Sequence, residues 1–220
     1  EGDYVKLDVG VHVNGYIADC AKTVRVDGRD ELVKSAEEML KEVIRHVAPG
    51  VEVKELGRVA SEVAESYGLK PVANLTGHGL ERFDLHAGIT IPSIPAGSGR
   101  IEDNKAYAIE PFCTNGAGAV KDSRSSNIYM FLQEKAVRSK EAREIVSYVK
   151  RYNGLPFAKR WIESVVKNPI KLELALKELV NKGVLHEFKV LKERGNGMVA
   201  QAEKSIVLND GKVIVITDWK

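Results

Sequence analysis

Five residues spread along the chain have the types and settings that hold divalent ions: Asp8, Asp19, His78, Glu110 and Glu203. Gly77-His78-Gly79 places an imidazole where backbone can approach closely on both sides. Glu110 ends an alternating stretch before Pro111, and Glu203 closes Val199-Ala200-Gln201-Ala202-Glu203, on a strand face shared with Gln201. A second histidine, His86, follows His78 by eight positions. Each residue has an ordinary alternative. A lone histidine in a glycine-rich loop is more often solvated than ligating, and a glutamate on a strand usually belongs to its polar face. As a set they point further: four carboxylates and one imidazole suit a pair of divalent transition ions. Carboxylates can bridge two ions, and ions about 3.5–4 Å apart can share a hydroxide. A structural zinc site would draw on Cys and His instead.

The elements that position these residues begin with a hairpin over about residues 4–26. Asn14-Gly15 between two apolar runs is the strongest short-range signal for a two-residue turn. With that pair at the centre, residue 10 faces 19 and residue 8 faces 21. Side chains alternate along a strand, so 8, 10, 19 and 21 share a face. Asp8 and Asp19 are then diagonal neighbours, close enough to hold a cation between them. Taken alone, this is an amphipathic ribbon with a solvated polar face. Gly10, Ile17 and Ala21, however, make that face poorly polar. Val5, Leu7, Val9 and Val11 point the other way and are expected in the core. Helices are expected over about 30–47 and 52–67, closed by Pro49-Gly50 and Gly68.

Residues 69–104 read as strand and loop, punctuated by Gly77, Gly79, Gly88, Gly97 and Gly99 with Pro71, Pro92 and Pro95. A strand follows at 105–112. Composition changes near Gly116, where a Gly- and Ser-rich stretch gives way to a short strand at 128–134. Helical patterns follow at about 139–152, 156–166 and 169–182, and strands resume at 198–208 and 212–217 around Asn209-Asp210-Gly211.

The 220 residues carry 33 Lys and Arg against 31 Asp and Glu, a formal charge of +2. That balance argues against a dedicated nucleic-acid or membrane-surface protein. No run approaches the roughly 20 apolar residues of a membrane span. Cys20 and Cys113 stand outside any CxxC spacing and read as free, small hydrophobic residues in a reducing compartment. GxSxG, GxxxxGK[ST] and HExxH are absent.

Taken in order, Lys6-Leu7-Asp8-Val9-Gly10-Val11-His12, Gly15-Tyr16-Ile17-Ala18-Asp19, Leu75-Thr76-Gly77-His78-Gly79-Leu80, Ala108-Ile109-Glu110-Pro111-Phe112 and Ala200-Gln201-Ala202-Glu203 resemble the methionine aminopeptidases. The helical block between Glu110 and Glu203, with Leu155-Pro156-Phe157-Ala158 and Trp161, is similar to the insertion of type 2 enzymes of the archaeal kind. The resemblance implies an α/β (α+β) pita-bread fold. Residues 1–115 and 196–220 would form the catalytic domain and 116–195 the helical insertion. It also implies two divalent ions (Co, Mn, Fe or Zn). Asp19 and Glu203 would bridge both, Asp8 would hold one, and His78 with Glu110 the other. Glu110 would also shuttle a proton, and His86 would contact the substrate peptide. The implied reaction is removal of N-terminal methionine from nascent chains, by metal-hydroxide attack on the first peptide bond, in the cytoplasm and near the ribosome. No membrane and no dedicated nucleic acid enters.

Two departures stand out. The family's N-terminal segment, with its second substrate-side histidine, would precede Glu1. It is expected as a missing or separate partner piece. Lys204-Ser205 stands where the family has His-Thr, with Lys204 pointing away from the site by alternation. An X-Pro peptidase of the same fold, or a catalytically silent pita-bread protein binding peptide or nucleic acid, are the alternatives.

Overall fold

In the computed structural model, which describes residues 2–28 and 30–218, Asn14 and Gly15 adopt φ angles of 52° and 88°. That is the left-handed backbone a two-residue hairpin turn requires. They join β1 (Tyr4–Val13) to β2 (Tyr16–Arg25), and the register sets Gly10 opposite Asp19 and Asp8 opposite Ala21, as the turn position dictates.

One expectation for this hairpin fails. Val5, Leu7, Val9 and Val11 are 42–59 % exposed, so they are not core. Their alternation is as read, but β1 and β2 form a sheet of their own. The site face is the one that meets protein: Lys22 bridges to Ala202, and Thr23 hydrogen-bonds to Gln201.

Asp30 caps α1 (Glu31–His46), its carboxylate accepting the Val33 N–H at 3.1 Å. Leu32, Ala36, Met39, Leu40 and Val43 recur at helical spacing and are buried. α2 (Val53–Ser66) buries Leu56, Val59, Ala60 and Ala64. Both helices enclose one core with Tyr107, Ile109, Ile206 and Leu208 from the strands.

The chain continues through β3 (Lys70–Pro71), β4 (Thr76–Glu81), β5 (Asp84–Pro92), β6 (Lys105–Ile109), β7 (Phe112–Thr114) and β8 (Val120–Phe131). Then come α3 (Lys140–Val149), β9 (Phe157–Ala158), α4 (Pro169–Asn181), β10 (Leu185–Glu193), β11 (Val199–Gln201), β12 (Lys204–Asn209) and β13 (Lys212–Val215). The main sheet has the order β13-β12-β6-β4-β5, and a smaller one β11-β7-β3. The expected single strand at 198–208 is thus two, β11 and β12, which belong to different sheets.

The fold divides into two compact units, residues 1–121 with 192–220, and residues 122–191. Residues 116–121 and 192–195, which composition groups with the insertion, lie in the first. Glu193 holds that end together. Its carboxylate is 3 % exposed and accepts the N–H groups of Ala117, Gly118, Gly195 and Gly197 at 2.5–3.1 Å.

The second unit has its own core, built from Tyr129, Ile145, Val149, Phe157, Ile162, Leu172, Leu176 and Leu179. The helix expected over 156–166 does not form. Phe157 and Ala158 pair with Tyr129 and Ile128 of β8, which commits that backbone to the sheet β10-β8-β9. Only a short 3-10 turn, Lys159–Trp161, follows. Phe157, Ile162 and Val166 are buried all the same, and their spacing mimics a helical stripe. The strand expected at 128–134 begins earlier, within the Ser-rich stretch: β8 starts at Val120, and Ser126 donates to the Phe188 carbonyl.

Candidate metal centre

Asp19 is buried, and its backbone is pinned from across the fold. Its N–H donates to Ser205 Oγ at 2.8 Å, and the Ser205 hydroxyl donates back to the Asp19 carbonyl at 2.7 Å. Gly10, opposite in the register, leaves room for the carboxylate: a Cβ there would sit 3.4 Å from Asp19 Oδ1. Asp8 lies diagonally from Asp19 on the same face and keeps access to solvent.

His78 is buried on β4 between two glycines that its neighbours require. A Cβ on Gly77 would meet the Ala108 carbonyl oxygen at 2.5 Å, and one on Gly79 would meet that of Ala87 at 2.3 Å. The strands therefore close around His78 only because its neighbours lack side chains. His78 Nδ1 lies 3.2 Å from the Gly79 carbonyl oxygen. With a proton donated there, Nε2 is the nitrogen free to take an ion. Nε2 lies 3.1 Å from Glu110 Oε1.

Glu110 follows β6 and is half-buried; its other oxygen, Oε2, accepts from Gln201 Nε2 at 3.1 Å. Glu203 follows β11, and its N–H donates to the Ala21 carbonyl at 2.8 Å. Ligand atoms of Asp19, His78 and Glu203 all lie within 4.8 Å of one another. Glu203 Oε1 is buried and finds no hydrogen-bond partner among the described residues.

The electrostatics describe a centre crowded with negative charge. Burial, reinforced by the charges of Glu110, Asp19 and Asp8, pushes the Glu203 carboxyl up to about 10. Burial likewise raises Glu110, against the pull of the His78 hydrogen bond, and raises Asp19, with Asp8 adding to it. Asp8 is raised by desolvation from the surrounding walls, while Lys6 and a hydrogen bond from Gln201 oppose the rise. For His78, burial favours the neutral ring, but the hydrogen bond and charge of Glu110 outweigh it and lift its pKa. Four carboxylates so close cannot all ionise without a cation among them. An orphaned buried carboxylate oxygen, an acid raised to about 10 and an O/N donor set together fit divalent metal ions.

Of the site residues read from the sequence, the structure groups Asp19, His78 and Glu203, sets Glu110 against His78 and puts Asp8 on the strand face of Asp19. His86, on β5, stacks edge-to-face on His78 with ring centroids 4.5 Å apart and reaches solvent. Lys204 points to the far side, where its Nζ pairs with Asp218 at 2.9 Å. Sequence reasoning missed three contributors: Ser205 as the clamp on Asp19, Gln201 as a donor to Glu110, and Lys6. Lys6 sits two residues before Asp8 on the same face. Its Nζ lies 5.3 Å from the Phe112 ring centroid. Burial lowers its pKa, partly offset by Asp8 and Glu110. The period-two spacing of Lys6 and Asp8 was the available signal for it.

The model of metallopeptidase family M24 matches residues 1–146. The methionine aminopeptidase of Thermococcus onnurineus is 42 % identical over 221 residues, covering 99 % of this chain and 75 % of that one. That of Pyrococcus abyssi is 43 % identical over 222 residues, with the same coverage. Among solved structures, a thermophilic Arx1 superposes with a TM-score of 0.84 at 17 % identity, over 100 % of this chain and 68 % of the other. At that identity the likeness speaks for the fold, which is the pita-bread architecture. With its motifs, its fold and relatives above 40 % identity all in agreement, this chain belongs to metallopeptidase family M24 and, within it, to the methionine aminopeptidases of the archaeal kind.

Proposed function

We propose that this protein is a dinuclear aminopeptidase that removes the initiator methionine from nascent polypeptides. The observation that carries the reading is the buried Asp19–His78–Glu203 cluster, with its orphaned Glu203 oxygen and with Asp8 and Glu110 beside it. Asp19 and Glu203, the central pair, would bridge two ions; Asp8 would hold one, and His78 with Glu110 the other. When bound, two divalent ions of the Co, Mn, Fe or Zn kind supply an acidified water and a Lewis acid for the substrate carbonyl.

The chain's own groups do the rest. Glu110, raised by burial, is suited to accept the proton released by the attacking water and to pass it to the departing amine. His86 projects beside His78 at the solvent side and is placed to donate to the peptide backbone and to the developing tetrahedral oxygen. Asp8, open to solvent, would help the neighbouring carboxylates hold the free α-amino group that defines an aminopeptidase substrate. Nascent chains as substrates put the working protein in the cytoplasm, within reach of ribosomes. Among the described residues no helix is long and apolar enough to cross a membrane.

The test is to strip the protein of metal, restore manganese or cobalt, and follow methionine release from Met-Ala-Ser. Release that depends on the ion and is lost in His86→Ala supports the reading. Cleavage of X-Pro peptides with Met-Ala-Ser left intact would replace it with a proline-specific peptidase. Failure to bind any ion would mean a silent binding protein.

A further inference from the structure

The hairpin meets the strands that carry Glu203 along a seam that backbone alone does not close. Lys22 bridges to Ala202 in antiparallel register, and the Glu203 N–H donates to the Ala21 carbonyl at 2.8 Å. Carried outward, that register sets Thr23 opposite Gln201 and Asp19 opposite Ser205. In an antiparallel ladder such pairs exchange their backbone N–H···O=C bonds directly. At both places a hydroxyl stands in. The Thr23 hydroxyl accepts the Gln201 N–H and donates to the Gln201 carbonyl, each at 2.8 Å. The Ser205 hydroxyl accepts the Asp19 N–H at 2.8 Å and donates to the Asp19 carbonyl at 2.7 Å. The Ser205 N–H turns away instead, to Thr217 Oγ1 at 2.9 Å. Both hydroxyls are buried, and one proton with two lone pairs lets each serve a donor and an acceptor at once.

The seam lies where the site is most demanding. β2, β11 and β12 belong to three separate sheets. Asp19 on β2 and Glu203 between β11 and β12 are the carboxylates assigned above to bridge both ions. Across the seam Glu203 is tied by its own backbone, Asp19 by the Ser205 side chain. We propose that Ser205 is a positioning residue of the dinuclear centre, its hydroxyl setting the separation of Asp19 and Glu203 at which both can span the same pair of ions. This inference rests on the dinuclear reading. Ser205 follows Glu203 by two residues, so its bonds tie one bridging acid to the chain that carries the other. A ligand to one ion can move with that ion, whereas a bridging carboxylate has to satisfy both at once. Loss of the hydroxyl leaves the Asp19 N–H and carbonyl buried without these partners, and the strands must shift to recover them. Outer partners of metal ligands commonly contribute 10–100-fold in affinity, about the size expected here.

The experiment loads metal-stripped wild type, Ser205→Ala, Ser205→Thr and Thr23→Val with manganese. Calorimetry follows binding, electron paramagnetic resonance follows the ion pair, and circular dichroism checks the fold. Mn(II) ions joined by shared carboxylates are exchange-coupled, and their spectrum differs from the sharp hyperfine lines of isolated ions. Wild type is expected to show a coupled pair. Ser205→Ala is expected to bind the second ion roughly 10–100-fold more weakly and to show the lines of an uncoupled ion. Ser205→Thr, which keeps the hydroxyl, is expected to restore both properties. Thr23→Val removes the hydroxyl at the other end of the seam and is expected to keep the coupled pair. A coupled pair with unchanged affinity in Ser205→Ala, or an equal loss in Thr23→Val, would overturn the positioning role. Should Ser205→Ala fail to fold, Ser205→Cys sets a larger atom with longer hydrogen bonds at the same place. It is expected to weaken the second ion in the same way, and unchanged binding overturns the proposal. A wild type that holds fewer than two ions, or holds them uncoupled, would overturn the dinuclear reading itself and the role of Ser205 with it.

Discussion

Glu203 is an acid placed where ionisation is unfavourable, and its stability effect can be signed. Its folded-state pKa of about 10 lies far above the ordinary carboxylate value of 4.5. Between those two pH values the folded, metal-free protein therefore binds more protons than the unfolded chain. Stability of the metal-free form must then fall as pH rises through that window. Glu203→Gln removes the penalty. In metal-free protein at neutral pH it is expected to raise Tm, by about 2–4 °C for each kcal/mol recovered, and to flatten the pH dependence. The same variant should abolish binding of a second ion. Thermal melts with and without manganese across pH 6–9 check both; a metal-free variant that melts below wild type at every pH would contradict the argument. The candidate ligands were legible because each sits in a short motif, and an Asn-Gly turn sets the register of two of them. Gln201, Ser205 and Thr23 were not. Their hydrogen bonds join residues 91–186 positions apart, and nothing local distinguishes such a side chain from the ordinary polar face of a strand.

At the scale of elements, β4 shows how a sheet admits a histidine to a crowded place. Gly79 has no alternative: an alanine Cβ would lie 2.3 Å from the Ala87 carbonyl oxygen, which is backbone and has nowhere to retreat. Gly79→Ala is expected to destabilise by roughly 1–3 kcal/mol, as overpacking does. It should also weaken ion binding by moving His78. Denaturant unfolding and a manganese titration of the same sample would show both losses; loss of stability with unchanged ion affinity would uncouple the strand from the site. Helices with a sustained apolar stripe, α1 and α2, were readable from sequence to within a residue or two. The segment 156–166 was not, because buried residues at helical spacing can also come from a strand, a turn and a bend packed on one core.

For the whole molecule, the two units each hold their own core, and the larger carries an uncovered apolar surface. Val5, Leu7, Val9, Val11, Val13 and Tyr16 are 42–74 % exposed along one side of the hairpin. Fully burying a side chain of this kind contributes about 1.5–3 kcal/mol, so this face forfeits several kcal/mol in the isolated chain. Contiguous apolar patches beside an unpaired strand edge favour association. Val9→Lys with Val11→Lys is expected to reduce concentration-dependent association in sedimentation velocity while leaving the manganese stoichiometry unchanged, since both residues face away from Asp8 and Asp19. A drop in stoichiometry would show that the two faces are mechanically linked. The sequence reading took this face for core because alternation tells which residues share a side, not whether anything lies on that side.

The hairpin therefore has a parity. Even positions of β1 carry Lys6, Asp8 and Gly10 toward the candidate metal centre, and odd positions carry the valines away. A substitution on the outer face changes one side chain. An insertion or deletion of a single residue within β1 would exchange the faces from that point to the turn, presenting valines to the metals and acids to solvent. This stretch can thus vary in composition on one side yet cannot vary in length. Across related chains, gaps in alignment should be far rarer here than the freedom of its outward residues alone would allow.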